Sequence, residues 1–152
     1  MMPDSTTMIV VDRSALVAHS AQKMYALVAD VESYPQFLPW CDRAVVSVKE
    51  PGRTVATLHI NFHGLKKDFT TENLNQPGVR IDMTLVSGPF RSLEGNWAFV
   101  PLAEKACKVE FRLRYQFASA LVEKAAGSAF QDITDTFVDA FVRRADEKFG
   151  SA

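Results

Sequence analysis

Hydrophobic residues near the start of the chain follow first a strand pattern and then a helical pattern. Residues 8–17 begin with an apolar run and predict a β-strand. Ser20 is a suitable N-cap, because its hydroxyl can accept a hydrogen bond from the first helical turn. An apolar stripe at helical spacing follows, formed by Ala21, Met24, Tyr25, Leu27 and Val28. The pattern predicts a helix that ends near Asp30 and a further helical turn within residues 31–37.

From Asp42 onward, turn signals recur roughly every dozen residues, the spacing typical of antiparallel strands joined by short turns. The last of these turns is predicted at Pro101-Leu102. The strands predicted between the turns are residues 44–50, 54–62, 66–74, 79–86, 92–100 and 107–117. Apolar and polar side chains alternate along several of them, so each strand has one apolar face and one solvated face.

The apolar faces of these strands need a cover, and residues 119–149 provide one. Ser119 is the predicted N-cap of a long helix, and Gly127 permits a bend or a close approach to the sheet. The helix carries a wide apolar stripe, formed by Val122, Ala126, Ala129, Phe130, Ile133, Phe137, Ala140, Phe141 and Ala145. The order of elements predicts an α+β fold in which a curved antiparallel sheet grips one long helix.

The segment from Tyr34 to Cys41 combines two prolines with Tyr, Phe, Leu and Trp. Prolines disfavour a regular helix or a central strand, so the segment is predicted to be a surface loop. An apolar, stiff loop is interpreted either as a lid over an apolar cavity or as a surface that meets an apolar partner. In both cases we expect Phe37 and Trp40 to serve binding more than folding.

The composition predicts one domain spanning residues 1–152, in which residues 1–7 form a disordered tail. The 17 Lys and Arg residues nearly balance the 18 Asp and Glu residues, so no overall field attracts nucleic acid, and DNA is not an expected partner. No transmembrane run, secretory signal or transit peptide is recognised. Cys41 and Cys107 match no metal or redox spacing and are predicted to be free thiols.

Few side chains are spaced for chemistry, and we expect no catalytic residue and no metal ligand. His59 and His63 would face the same side of a predicted strand, with Asp68 on the next strand. A metal site needs at least three converging ligands, so two polar histidines near a strand edge is the favoured interpretation. His19 precedes the first helix and is predicted to face solvent.

Two further features leave alternatives open. The many aromatic residues either fill the gap between sheet and helix or line a pocket there, and ligand pockets typically measure about 300–1,000 Å³. Pairs of basic residues occur at Lys66-Lys67, Arg112 and Arg114, and Arg143-Arg144. Each pair is a weak signal for RNA phosphate binding, and scattered solvated charges are the simpler interpretation.

Two motifs together resemble a known family. They are DVESYPQFLPWC at residues 30–41 and SGPFRSLEGNWAF at residues 87–99. They resemble the coenzyme Q-binding START-domain family, whose bacterial members include ribosome association toxins, within the broader polyketide cyclase/START-like group. The resemblance spans residues 9–149 and implies a helix-grip (START/Bet v 1-like) fold, a curved seven-stranded antiparallel sheet around a long C-terminal helix, with short helices after the first strand.

The resemblance implies a binding protein without a required cofactor. The first hypothesis is that the cavity binds ubiquinone, another polyprenyl quinone or a lipid and supports respiratory quinone function. The alternative is a ribosome association toxin that binds the large ribosomal subunit and inhibits subunit joining. A cyclase or aromatase is the third and weakest hypothesis. We expect a bacterial cytoplasmic protein, with transient contact at the inner membrane during ligand transfer. The predicted ligand-binding residues are Tyr34, Phe37, Leu38, Trp40, Phe69, Phe90, Leu93, Trp97, Phe111, Phe130, Ile133 and Phe137.

Overall fold

A computed structural model describes residues 7–150 and shows a curved antiparallel sheet around a long C-terminal helix. Two short helices follow the first strand: α1 and a 3₁₀ helix. The elements in chain order are β1 (Ile9–Val17), α1 (Ala21–Ala29), the 3₁₀ helix (Val31–Gln36), β2 (Cys41–Glu50), β3 (Arg53–Phe62), β4 (Leu65–Gln76), β5 (Arg80–Ser87), β6 (Phe90–Ala103), β7 (Ala106–Phe117) and α2 (Ala120–Phe149). The helix-grip prediction is confirmed.

The seven strands form one sheet in the order β1-β7-β6-β5-β4-β3-β2. Strands β2 to β7 form the predicted meander, and β1 closes the other edge by pairing with β7. Residues in register share a face, so Phe111 of β7 lies beside Trp97 of β6, and Trp97 lies beside Ile81 of β5. All three are buried on the inner face, which α2 covers.

Helix α2 begins where Ser119 predicts, because the Ser119 hydroxyl accepts a hydrogen bond from the Val122 N–H at 3.2 Å. Its inward stripe is built as expected around small and aromatic residues, but it also buries Thr134 and Val138. The sequence pattern did not single out these two. The buried residues of α2 are Ala126, Ala129, Phe130, Ile133, Thr134, Val138, Phe141 and Ala145.

The ends of some elements differ from the predictions. The predicted turn at Pro101-Leu102 is wrong, because β6 continues to Ala103 and pairs with β7 beyond Pro101. A register shift between Pro101 and Ala103 accommodates the proline, which has no N–H to donate to a ladder. Residues 1–6 of the predicted tail lie outside the described residues. Thr7 is described, and its backbone N–H donates to Glu123 Oε1 at 3.1 Å.

Two glycines differ in what surrounds them. At Gly95 of β6, a Cβ would lie 2.6 Å from the Arg112 carbonyl oxygen and 3.0 Å from Leu113 Cδ1, so only glycine allows this strand contact. At Gly127 of α2, a Cβ would meet only Glu123 Cγ at 3.9 Å. The predicted close approach of the helix to the sheet at Gly127 is therefore wrong.

This contrast predicts opposite effects of the same substitution. Gly95→Ala should lower the free energy of unfolding by about 1–3 kcal/mol, because the new methyl group overpacks against backbone that cannot move cheaply. Gly127→Ala should raise it by about 0.5–1 kcal/mol, because alanine is the better helix former and space is available. Urea unfolding of the two variants beside the parent chain measures both. Equal effects of the two substitutions would contradict this account.

Candidate functional site

A small cavity lies between the inner face of the sheet and α2. Its volume is about 70 Å³, well below the roughly 300–1,000 Å³ of typical ligand pockets. Its walls are almost wholly apolar and aromatic. The lining residues are Val31, Tyr34, Trp40, Ala56, Leu58, Phe69, Thr71, Asn73, Met83, Leu93, Trp97, Phe111, Leu113, Phe130, Ile133, Thr134 and Phe137. The sequence left open whether the aromatic residues fill the gap between sheet and helix or line a pocket there. The structure shows that they fill most of it.

Most of the predicted ligand-binding residues meet at this cavity. They come from the 3₁₀ helix and the segment after it, from β4, β6 and β7, and from α2. The predicted residues that line it are Tyr34, Trp40, Phe69, Leu93, Trp97, Phe111, Phe130, Ile133 and Phe137. Phe37, Leu38 and Phe90 do not line it. Whether any of these residues binds a ligand stays a prediction.

Aromatic contacts explain why so little space remains. Phe137 of α2 packs against Phe111, Trp97 and Trp40, with ring centroids 5.2, 5.5 and 5.9 Å apart. Trp97 and Phe111 are closer still, at 4.7 Å. These separations are those of favourable aromatic pairs, so the rings hold one another across the space between sheet and helix.

The segment from Tyr34 to Trp40 faces inward, which corrects the prediction of a surface loop. Tyr34, Leu38 and Trp40 are buried, with 6%, 1% and 4% of their surface exposed. The 3₁₀ helix accommodates Pro35 because short helices of this kind need few internal hydrogen bonds. The Tyr34 hydroxyl donates to the Val28 carbonyl at 2.5 Å, and burial raises the pKa of this hydroxyl.

Contacts with α2 hold the outer side of this segment. The Arg144 guanidinium donates to Gln36 Oε1 at 2.8 Å and lies 5.3 Å from the centre of the Phe37 ring. Phe37 also packs edge-on against Phe141, with centroids 5.0 Å apart. The aromatic side chains of this segment therefore pack into the core or at its edge. Pro35, Gln36 and Pro39 form the exposed side of the segment.

Sequence reasoning missed three buried polar residues of the cavity wall, namely Thr71, Asn73 and Thr134. The Thr71 hydroxyl donates to Asn73 Oδ1 at 2.8 Å. Thr134 donates to the Gln131 carbonyl at 3.1 Å, and it is hydrogen-bonded to the Tyr115 hydroxyl, whose pKa burial raises to about 12. The alternation of β4 could have revealed Thr71 and Asn73, since both share the inner face with Phe69.

His19 is buried, contrary to the prediction that it faces solvent. Its exposed fraction is 5%, its Nε2 lies 2.7 Å from Asp146 Oδ1, and its ring lies 5.8 Å from that of Phe149. The last turn of α2 reaches back over the start of α1 and covers the imidazole. His19 therefore ties the two helices together, a contact between distant parts of the chain that no local pattern signals.

The other histidines lie at the β3–β4 hairpin. His59 Nδ1 contacts Asp68 Oδ1 at 2.7 Å across the strand pair, and His63 occupies the turn with a positive φ of 51°. Within residues 7–150, no group of three His, Cys, Asp or Glu side chains converges in a way that could hold a metal ion.

The basic pairs differ in their partners. Arg112 lies 3.7 Å from Asp12, and Arg114 lies 3.7 Å from Glu94, on the outer face of the sheet. Arg144 lies 3.8 Å from Glu147, besides its contact with the segment described above. Within the described part of the chain, Lys66 and Lys67 form no such ion pair, and both are exposed.

Both cysteines are free, as the spacing predicted, and both are buried. Burial is the main reason that the pKa of the Cys41 thiol is raised to about 11, and burial also raises the pKa of Cys107. Over residues 7–150, no helix is both long and apolar enough to span a bilayer.

Comparison with known proteins decides the family. The model of the family described as polyketide cyclase / dehydrase and lipid transport matches residues 17–142. The chain belongs to this family. The resemblance inferred from the two motifs is thereby confirmed at family level.

Curated relatives narrow the comparison. The ribosome association toxin RatA of Vibrio cholerae is 47% identical over 140 residues, covering 92% of this chain and 97% of that protein. RatA of Escherichia coli is 42% identical over 141 residues, covering 93% and 89%. The mitochondrial coenzyme Q-binding protein COQ10 homolog B of Xenopus laevis is 30% identical over 141 residues, covering 90% of this chain and 58% of that protein.

Two solved structures share the fold. The ZhuI aromatase/cyclase from Streptomyces sp. R1128 superposes with a TM-score of 0.82 at 16% identity, covering 96% of this chain and all of the other. A START superfamily protein from Mycobacterium smegmatis gives a TM-score of 0.75 at 23% identity, covering 91% and 97%. At these identities the likeness concerns the fold alone.

The inward position of Trp40 changes what its substitution should do. Trp40→Ala should lower the free energy of unfolding by about 3–5 kcal/mol, because a buried ring in contact with Phe137 is replaced by a void. Phe37→Ala should cost less, because Phe37 is only partly buried. Thermal and urea unfolding measure both values. A Trp40→Ala variant as stable as the parent chain would restore the surface-loop interpretation.

Proposed function

We propose that this protein associates with the large ribosomal subunit and hinders the joining of the subunits. The structural observation that carries the proposal is the exposed Lys66-Lys67 pair of the β3–β4 hairpin, which forms no ion pair among the described residues. The relatives named as ribosome association toxins, at 40–47% identity over 92–93% of this chain, give the proposal its partner.

The β3–β4 hairpin is the surface that we assign to ribosomal RNA. Lys66 and Lys67 lie there without acidic partners among the described residues, and Arg43 of β2 lies across from His59 on the neighbouring strand. His59 itself is paired with Asp68. Unpaired lysines at a hairpin tip can contact phosphates while releasing counterions, which makes binding salt-dependent. The outer-face arginines Arg112 and Arg114, by contrast, are compensated by carboxylates.

Co-sedimentation with purified large subunits tests this proposal. We expect the parent chain to pellet with the subunits at low salt and to be released as salt rises, because few phosphate contacts supply the attraction. A Lys66→Glu, Lys67→Glu variant should bind about tenfold more weakly. Sucrose-gradient profiles should show fewer joined ribosomes when the parent chain is added before the subunits are mixed.

The matched control is Lys105→Glu, Lys148→Glu, which makes the same change in charge at the opposite end of the sheet and helix. This control should bind as the parent chain does. If both variants weaken binding equally, the attraction is a matter of net charge and the hairpin assignment is wrong. If the parent chain fails to pellet at low salt and leaves subunit joining unchanged, the proposed function itself fails.

A second candidate function is the binding of an apolar molecule, with ubiquinone or another polyprenyl quinone as the leading ligand. The apolar lining between the sheet and α2 favours it, as does the coenzyme Q-binding relative. Because the cavity is small, binding requires that aromatic side chains such as Phe137 and Trp40 move apart. Contact with the inner membrane during transfer belongs to this candidate.

Organic extraction of the purified protein, followed by mass spectrometry, tests the second candidate. A quinone or lipid recovered at a constant ratio to protein is the expected result, and a protein of similar size without an apolar cavity, carried through the same purification, serves as the reference for unspecific uptake. A clean extract, together with no uptake from quinone-loaded vesicles, would count against it.

We propose binding rather than catalysis for the cavity. The described residues that line it include no His, Asp, Glu, Lys or Arg. Its titratable group, the Tyr34 hydroxyl, has a pKa raised by burial and donates to a backbone carbonyl. General acid–base chemistry works best with a group that titrates near the operating pH, and these side chains supply none.

A further inference from the structure

The cavity contains one polar group that the fold leaves without a partner. Asn73 of β4 lines the main cavity and a second space of about 10 Å³ beside it. Its Oδ1 accepts the Thr71 hydroxyl at 2.8 Å, and within residues 7–150 its Nδ2 group has no hydrogen-bond partner. Only 8% of the Asn73 surface is exposed. Among the described residues, the fully buried side-chain atoms without a partner are Ser92 Oγ and Arg144 Nε, so the Asn73 Nδ2 group keeps some accessible surface and is free to donate to a molecule in the cavity.

The other polar groups of the wall are already engaged. The Tyr34 hydroxyl donates to Val28, and Thr134 is hydrogen-bonded to Gln131 and Tyr115. The Asn73 amide is therefore the donor that the cavity offers to an incoming molecule. Thr71 fixes its direction by holding Oδ1, which turns Nδ2 away from Thr71.

We infer that Asn73 is a specificity-determining residue that receives the neutral, oxygen-bearing end of an apolar ligand, such as a ketone or quinone carbonyl. The apolar remainder lies among the aromatic side chains of Trp97, Phe111 and Phe137. This inference rests on the second candidate function, ligand binding in the cavity, and is independent of ribosome association. Thr71 acts as the positioning residue for the amide.

The same wall discriminates against anionic ligands. None of the described lining residues carries a positive charge. A carboxylate or phosphate head would lose its hydration without gaining a cation, and burying an unpaired charge is far more costly than burying a carbonyl that accepts a hydrogen bond. The site therefore selects neutral acceptors over fatty acids and phospholipid heads.

Small probes test the inference, because the cavity is smaller than the cavity of about 150 Å³ that accepts benzene in another protein. Cyclopentanone and methylenecyclopentane have nearly the same shape, but only the ketone accepts a hydrogen bond. We expect the parent chain to bind the ketone about fivefold more tightly, the effect of one neutral hydrogen bond. NMR titration should also show the ketone shifting the Asn73 side-chain amide resonance.

Two variants test the role of the amide. Asn73→Leu removes the N–H donor and keeps a similar side-chain volume, and Thr71→Val removes the hydroxyl that holds Asn73 Oδ1 in place. Asn73→Leu should bring the ketone-to-alkene ratio to about one, and Thr71→Val should reduce it. Asn96→Leu on the outer face of β6 is the matched control and should keep the ratio of the parent chain. If Asn73→Leu does not fold, the amide shift in the parent chain and the Thr71→Val ratio still decide.

Each contrary result has a distinct meaning. Equal binding of ketone and alkene by the parent chain, or a ratio that survives Asn73→Leu, overturns the role of Asn73 but keeps the cavity as a ligand site. Binding of cyclopentanecarboxylate as tight as that of the ketone overturns the discrimination against anions. If no probe binds, both this inference and the second candidate function fail, and co-sedimentation with ribosomal subunits remains a separate question.

Discussion

The packing of Trp97 against the aromatic residues of α2 is the contact on which the remaining structure depends. Trp97 is almost fully buried on the inner face of the sheet and touches Phe111, Phe137 and Phe141. This contact sets the distance between sheet and helix. It also determines where α2 can receive the 3₁₀ helix, since Phe141 packs on both Tyr34 and Phe37. The size of the interior space follows from the same set of rings.

That dependence connects the two candidate functions. The interior is nearly filled, so a large partner can contact only the outer surface. The same interior keeps a narrow space with an apolar wall and, among the described residues, one amide N–H group without a partner, which suits recognition of a small molecule. The two proposed functions involve different parts of the molecule: the hairpin at Lys66 and Lys67 lies at the sheet surface, and Asn73 lies inside. Family membership is compatible with both, because a fold by itself does not fix a function.

Much of the fold could be predicted because the periodicities are strong and local. The alternating apolar residues of β7 and the apolar stripe of α2 each form one face that must be buried against another element. The short turns between the strands leave few ways to connect these elements. What failed depended on contacts distant in sequence. His19 is covered by the end of α2, and Pro101 continues a strand only because β7 tolerates a register shift there.

The candidate site shows the same division. The aromatic residues were expected between sheet and helix, where they would either fill the gap or line a pocket, and the family resemblance favoured a pocket. Thr71 and Asn73 were missed because polar residues in a strand are usually assigned to the solvated face. Thr71 and Asn73 are spaced two and four residues from Phe69, so the sequence shows that all three share one face of β4. Which face of the sheet this is depends on the register between β3 and β4.

The Cys41 thiol has a consequence for how opening of the molecule can be followed. It lies at the start of β2, directly after Trp40, and burial raises its pKa to about 11, so very little thiolate is present at neutral pH. Because the thiolate is the nucleophile, alkylating reagents and peroxides meet almost no reactive sulfur while this edge stays closed. The rate at which Cys41 is modified therefore reports how often the structure unfolds locally beside the cavity. The measurement uses the unaltered chain and needs no introduced label.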